Sequence, residues 1–132
     1  MQTLDQALQK GIQAHQTGQI QEAEKIYTAI LKAQPKNPHA NHNLGVLAVS
    51  VNKAEAALPL FKTALDANPK IEQFWLSYIN ALMKEKQFDN ANQVIQQAKK
   101  KGLALEKHNS LKAQSGPIPQ IENANSASPS QQ

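Results

Sequence analysis

The chain has 132 residues, enough for one domain, and is 40% hydrophobic with one Trp, two Tyr and three Phe. All 14 basic residues are lysine and the net charge is +4. Arginine, the planar fork that best matches guanine edges and phosphates, is missing, which argues against sequence-specific nucleic-acid binding. Without cysteine there is no disulfide framework, thiolate metal site or thiol nucleophile. No stretch approaches the roughly 20 apolar residues of a membrane span. The N-terminus, MQTLDQALQKGIQAHQ, lacks the apolar run of a signal peptide. The default expectation is a soluble, cytoplasmic protein that does not associate with membranes.

Taken in order, Thr3-Leu4-Asp5-Gln6 reads as a capping box that starts a first helix. Leu4, Ala7, Leu8, Gly11, Ile12 and Ala14 then fall at helical spacing, and Thr17-Gly18 ends the run. A second helix over 20–33 places Ala23, Ile26, Tyr27, Ile30 and Leu31 on one face. Gln34-Pro35-Lys36-Asn37-Pro38 is a break in which Asn37 can N-cap and Pro38 suits the first helical position. A third helix is expected to about residue 51, and a fourth over 54–67, mildly kinked at Pro59. After a second break at Asn68-Pro69-Lys70, helices are expected over 72–86 and 89–101, with Phe88 packed at their turn. Lys99, Lys100 and Lys101, ahead of Gly102, complement the negative end of the last of these. Leu103, Leu105 and Leu111 predict a short capping helix over about 104–113. From Ser115 the composition turns to Pro, Ser, Asn and Gln, which predicts a disordered linker or tail over 115–132.

The stretch 38–69, PHANHNLGVLAVSVNKAEAALPLFKTALDANP, carries Leu44, Gly45, Ala57, Phe61, Ala64 and Pro69 in a fixed order. Counting 34 residues back, Gly11, Ala23, Tyr27 and Pro35 occupy the same places. Counting 34 forward, Trp75, Ala91, Ile95 and Ala98 do so, with Ile79 standing where the glycine stood. This pattern resembles the W-x2-L-G-x2-Y…A-x3-F…P signature of the tetratricopeptide repeat (TPR) family. Three units in register, 4–37, 38–71 and 72–105, make up about three quarters of the chain. The resemblance implies an all-α fold: three helix-turn-helix repeats stacked as a right-handed superhelix, or α-solenoid. The repeat domain would then span 1–114. Gly11 and Gly45 are expected to face Ala23 and Ala57 where two helices cross closely. Ile79 either opens the third pair or serves as core of a terminal unit.

The resemblance also places the binding surface, a concave groove lined by the first helix of each pair. Its fixed offsets give Asp5, Leu8, Gln9, Ile12 and His15 in the first repeat. The second contributes His39, His42, Asn43, Val46 and Val49, and the third Gln73, Leu76, Ser77, Asn80 and Met83. No lysine stands among them, unlike the carboxylate clamp of relatives that grip chaperone tails. Ala40-Asn41-His42-Asn43-Leu44-Gly45 is instead similar to the repeats of O-linked N-acetylglucosamine transferase, whose asparagines hold an extended peptide. By that precedent Asn43 holds peptide backbone, since an amide both donates and accepts. Neither Asn43 nor Val46 is expected to point into the helix-pair core. His39 and His42 are read as solvated rather than as metal ligands, and Phe74 as a candidate exposed anchor beside a packed Trp75.

No nucleophile–base pair, phosphate loop or carboxylate pair is legible, and Ser50, Ser77 and Ser110 lack a G-x-S-x-G setting. The expectation is a non-enzymatic protein-binding adaptor, without cofactor or metal, whose partner is a protein or peptide segment. Phrases such as GIQAHQTGQIQEAEKIYTAILK and FWLSYINALMKEKQFDNANQVIQQAKKKG resemble the N-terminal segment of larger bacterial TPR proteins. Some of those carry a glycosyltransferase, sulfotransferase or methyltransferase further on. The alternatives are thus an accessory domain of such an enzyme, or a self-associating scaffold.

Overall fold

Helix boundaries repeat with the period of the sequence. The computed structural model describes residues 2–103, in which six helices and no strand occur. They are α1 (Leu4–Gln16), α2 (Ile20–Ala33), α3 (Pro38–Ser50), α4 (Ala54–Ala67), α5 (Glu72–Lys84) and α6 (Phe88–Lys100). The expected capping helix and tail lie outside the described residues. Each first helix packs on its own second helix and each second helix on the next first helix; α1 also touches α3, and α3 touches α5. The chain is therefore an α-solenoid in which successive elements are neighbours.

Local chemistry sets the ends. Thr3 accepts from the Gln6 amide at 3.1 Å while Gln6 Oε1 accepts from the Thr3 amide at 2.9 Å, a complete capping box. Asn37 Oδ1 accepts from the Ala40 amide at 2.8 Å, with Pro38 at the first helical position. Pro59 is carried inside α4 on an exposed face, where water can reach the carbonyl its missing amide leaves unpaired.

The turn within each pair is one device used three times. Gly18, Asn52 and Lys86, spaced by 34 residues, have φ of 83°, 65° and 61°. In each case the following amide returns to a carbonyl in the last turn of the first helix: Gln19 to Ala14 (2.7 Å), Lys53 to Ala48 (2.8 Å), Gln87 to Leu82 (2.8 Å). This is the Schellman closure, which demands a left-handed residue at that point. Gly102 ends α6 in the same way, with φ 81° and Leu103 donating to Ala98 at 3.1 Å.

The turn between pairs is also repeated. Trp75 Nε1 donates to the Pro69 carbonyl at 2.7 Å, and Asn41 Nδ2, one repeat earlier, donates to the Pro35 carbonyl at 3.0 Å. Two unlike side chains thus satisfy the same carbonyl and pin the incoming first helix to the preceding loop.

Packing corrects one expectation about the glycines. A Cβ added to Gly11 would lie 2.5 Å from Tyr27 Cε1, and one added to Gly45 would lie 2.5 Å from Phe61 Cε1. The glycines therefore make room for the aromatic rings, not for Ala23 and Ala57. Tyr27 and Phe61 are accordingly buried to 0% and 1% exposure. In the third pair the sizes are exchanged: Ile79, fully buried, fills the glycine position and Ile95 replaces the ring, both in one cluster with Trp75 and Val94. The smaller Ile95 offsets part of the volume that Ile79 adds, since a core tolerates exchanges best when total volume changes little.

Phe88, expected to pack, is 56% exposed as the first residue of α6. Phe74, expected as an exposed anchor, is 0% exposed.

Candidate peptide-binding face

The first helices α1, α3 and α5 carry all fifteen expected groove residues. Along each helix these fall on one side, as spacings of three and four dictate. The structure divides them into two sets. Leu8, Ile12, His42, Asn43, Val46, Gln73, Leu76, Ser77 and Asn80 are buried. Gln9 is exposed, and His15, His39, Val49 and Met83 are partly exposed. Asp5, just below His39 in the repeat register, is exposed as well.

Burial changes the role of His42 and Asn43. His42 has no exposed surface; it stacks on Phe74, ring centroids 4.8 Å apart, and touches Phe61 at 5.4 Å. Its Nε2 lies 2.7 Å from Ser77 Oγ, and its Nδ1 lies 3.2 Å from Asn43 Oδ1. Gln73 Nε2 donates to Ser77 Oγ at 3.3 Å. One direction of donation satisfies all these contacts: Gln73 to Ser77, Ser77 hydroxyl to His42 Nε2, and His42 Nδ1–H to Asn43. The assignment requires a neutral imidazole protonated at Nδ1. Burial favours that form and pushes the His42 pKa down to about 4; the Asn43 contact opposes this, and nearby His39 adds to it.

The solvated histidine of the sequence reading is thus a core histidine that joins α3 to α5. Both its ring nitrogens are engaged within the protein. Among the described residues no group of three or more His, Cys, Asp and Glu side chains converges. Asn43 is 1% exposed and lies beside the Tyr27 phenol as well as the His42 ring. In this arrangement a peptide backbone does not reach its amide. Val46 is likewise core, 3% exposed in a cluster with Ala57, Phe61 and Ala81. Both side chains point into the packed interior, contrary to expectation. A polar residue three places after a histidine carries no signal of burial, so the sequence could not show this. The register could have hinted at it, because Ser77 is the repeat equivalent of Asn43.

What remains at the surface is a row with its own register. His15, Val49 and Met83 occupy one repeat position, near the C-terminal end of α1, α3 and α5, and all three stay partly exposed. Burial lowers the pKa of His15, so this side chain too favours its neutral form. His39 stands edge-on to Phe74, centroids 5.8 Å apart, and keeps part of its ring in solvent. The row is weakly polar, with no lysine in it.

A family profile described as Tetratricopeptide repeat matches residues 48–114. The chain belongs to the tetratricopeptide repeat family. TPR repeats generally are non-catalytic modules that mediate protein–protein interaction, so the partner of this chain is in general terms a protein. A comparison with curated proteins gave no match. Among the described residues of this TPR chain, no helix is long and apolar enough to cross a membrane.

Proposed function

We propose that this TPR chain holds an extended peptide segment of a partner protein along the row formed by α1, α3 and α5. The observation that carries the reading is the repeated, partly exposed position occupied by His15, Val49 and Met83. Gln9, His39 and Asp5 supply polar contacts beside it. Val49 and Met83 offer apolar surface, and Met adapts to irregular side chains. The buried set, His42, Asn43, Gln73 and Ser77 among them, shapes and stiffens the floor; it does not touch the ligand. The same surface serves a free-standing adaptor or a docking domain joined to a transferase, and the reading frame beyond Gln132 in the native gene decides between these.

The test is selection of peptides from a displayed random library, followed by amide shift mapping on the isotope-labelled chain. The expected outcome is perturbation of Gln9, His15, His39, Val49 and Met83. Perturbations confined to α2, α4 and α6, or to Lys99, Lys100 and Lys101, would overturn the proposal.

A further inference from the structure

Between α4 and α6 runs a second concavity, separate from the row just described. It holds about 370 Å³, within the range of ligand-binding clefts. Leu65, Trp75, Tyr78 and Val94 form its floor, and of these Tyr78 alone stays partly exposed. Gln93, Gln97 and Lys101 line the α6 wall, and all three are exposed. Lys62 and Asp66 line the α4 wall and pair with each other at 2.9 Å.

The polar groups of the α6 wall do not follow from the repeat. One unit earlier, Gln93, Gln97 and Lys101 become Pro59, Thr63 and Ala67, and Tyr78 becomes Leu44. Proline and alanine offer no side-chain donor, and the Thr63 hydroxyl donates to the Pro59 carbonyl of its own helix at 2.9 Å. Stacking of repeats therefore does not require these groups. Among the described residues the two glutamine side chains make no hydrogen bond, and no carboxylate pairs with Lys101.

Their spacing selects a ligand. Gln93, Gln97 and Lys101 follow one another at intervals of four on one side of α6, and the helical rise sets each step at about 6 Å. In extended backbone, residues two apart present their N–H and C=O groups to the same side, at a repeat of about 6.7 Å. A polyproline helix repeats only every third residue, at about 9.3 Å, and an α-helical ligand engages its backbone groups within itself. An amide side chain both donates and accepts, so one glutamine can serve both backbone groups of one residue. Charge sets the far end. The Lys62–Asp66 pair is neutral as a unit, which leaves Lys101 as the one uncompensated charge in the lining. An acidic group at that end of the ligand complements it.

We propose that the trough between α4 and α6 binds an extended segment of a partner protein that runs along α6 and carries an acidic side chain at its Lys101 end. Gln93 and Gln97 bond the backbone of its first and third residues, and an Asp or Glu side chain at the fifth pairs with Lys101. The second and fourth residues, on the opposite face of the strand, turn apolar side chains to the floor at Tyr78. The site is independent of the row on α1, α3 and α5, and each stands if the other fails.

The probes are two peptides, acetyl-TLTLE-amide and acetyl-TLTLK-amide, titrated to millimolar concentration into the isotope-labelled full chain. The expected result for the first is saturable shifts at Tyr78, Gln93, Gln97 and Lys101, side-chain amides included, with His15, Val49 and Met83 unmoved. The lysine-ended peptide should bind about threefold more weakly or worse, and Lys101→Glu should reverse the preference. Gln93→Ala combined with Gln97→Ala, both at exposed positions outside the core, should weaken both peptides by about tenfold. Unshifted trough resonances, equal affinity for the two peptides, a preference that survives Lys101→Glu, or shifts confined to α1, α3 and α5 would each overturn the proposal. So would trough shifts that grow with protein concentration before any peptide is added, which would assign the trough to a second copy.

Discussion

At the scale of single residues, the fold turns on where a ring displaces a side chain. The Gly45 position leaves no room for a Cβ because Phe61 lies 2.5 Å away. Gly45→Leu should therefore destabilise by about 1–3 kcal/mol or more, the cost of overpacking, read from urea unfolding. The third repeat suggests a rescue. Gly45→Ile combined with Phe61→Ile copies the Ile79 and Ile95 exchange. It should recover part of the loss of Gly45→Ile alone, with a coupling of roughly 1 kcal/mol or more in a double-mutant cycle.

His42 gives a second prediction at this scale. Its folded pKa of about 4 lies below the unfolded value of 6.5. Between those values the unfolded chain takes up a proton that the folded chain refuses. The stabilisation is fully present above pH 6.5 and is lost as pH falls toward 4. The gap corresponds to on the order of 3 kcal/mol. Thermal melts from pH 7.5 to 4.5 should show a falling midpoint, and His42→Gln should flatten most of that slope. His15, also lowered by burial, supplies a smaller remainder of the same sign.

At the scale of elements, the within-pair turn is the most regular device in the chain. It needs a left-handed residue at 18, 52 and 86, and the sequence supplies Gly, Asn and Lys in turn. Glycine takes this conformation freely and asparagine tolerates it, whereas a lysine Cβ meets the neighbouring carbonyl at a cost of roughly 1–2 kcal/mol. Part of that is recovered because lysine loses less backbone freedom than glycine on folding, a difference of roughly 0.5–1 kcal/mol. Lys86→Gly should consequently stabilise the fold by roughly 0.5–1 kcal/mol. Asn52→Gly should change it little. Paired urea titrations of the two variants would check this, and equal effects at both positions would contradict it.

At the scale of the whole molecule, stacking three pairs turns one side of the first helices into core and leaves a partly exposed row at His15, Val49 and Met83. This separates two substitutions that look alike in sequence. Val46→Asp places a charge in the cluster with Phe61 and should unfold the chain or cost several kcal/mol. Val49→Asp, on a partly exposed position, should leave the melting midpoint within a few degrees. It should weaken a selected peptide by about 1–3 kcal/mol through the unpaired charge placed against it. Titration calorimetry of the peptide against wild type and Val49→Asp measures this. Because the row contains no lysine, the affinity should also change little with added salt, unlike that of a charged clamp.

Sequence alone determined the elements. The caps at Thr3 and Asn37, the breaks at Pro35 and Pro69, and the 34-residue recurrence of Gly, Ala and aromatic positions are local or periodic signals. They act through backbone geometry within a few residues, so they can be read without knowing what lies opposite. The same periodicity placed the expected groove residues on the first helix of each pair, α1, α3 and α5. Tertiary structure decided which of those side chains meet solvent. His42 and Asn43 are polar letters on a surface-like offset. Phe74 and Phe61 close over the His42 ring, Ser77 arrives from the next repeat to bond it, and Asn43 partners its other nitrogen. Phe88, an apolar letter, is left outside because no element covers the start of α6 among the described residues. Burial depends on what a neighbouring repeat contributes across the interface, and that contribution is set by packing between residues some 34 apart, which no local pattern encodes.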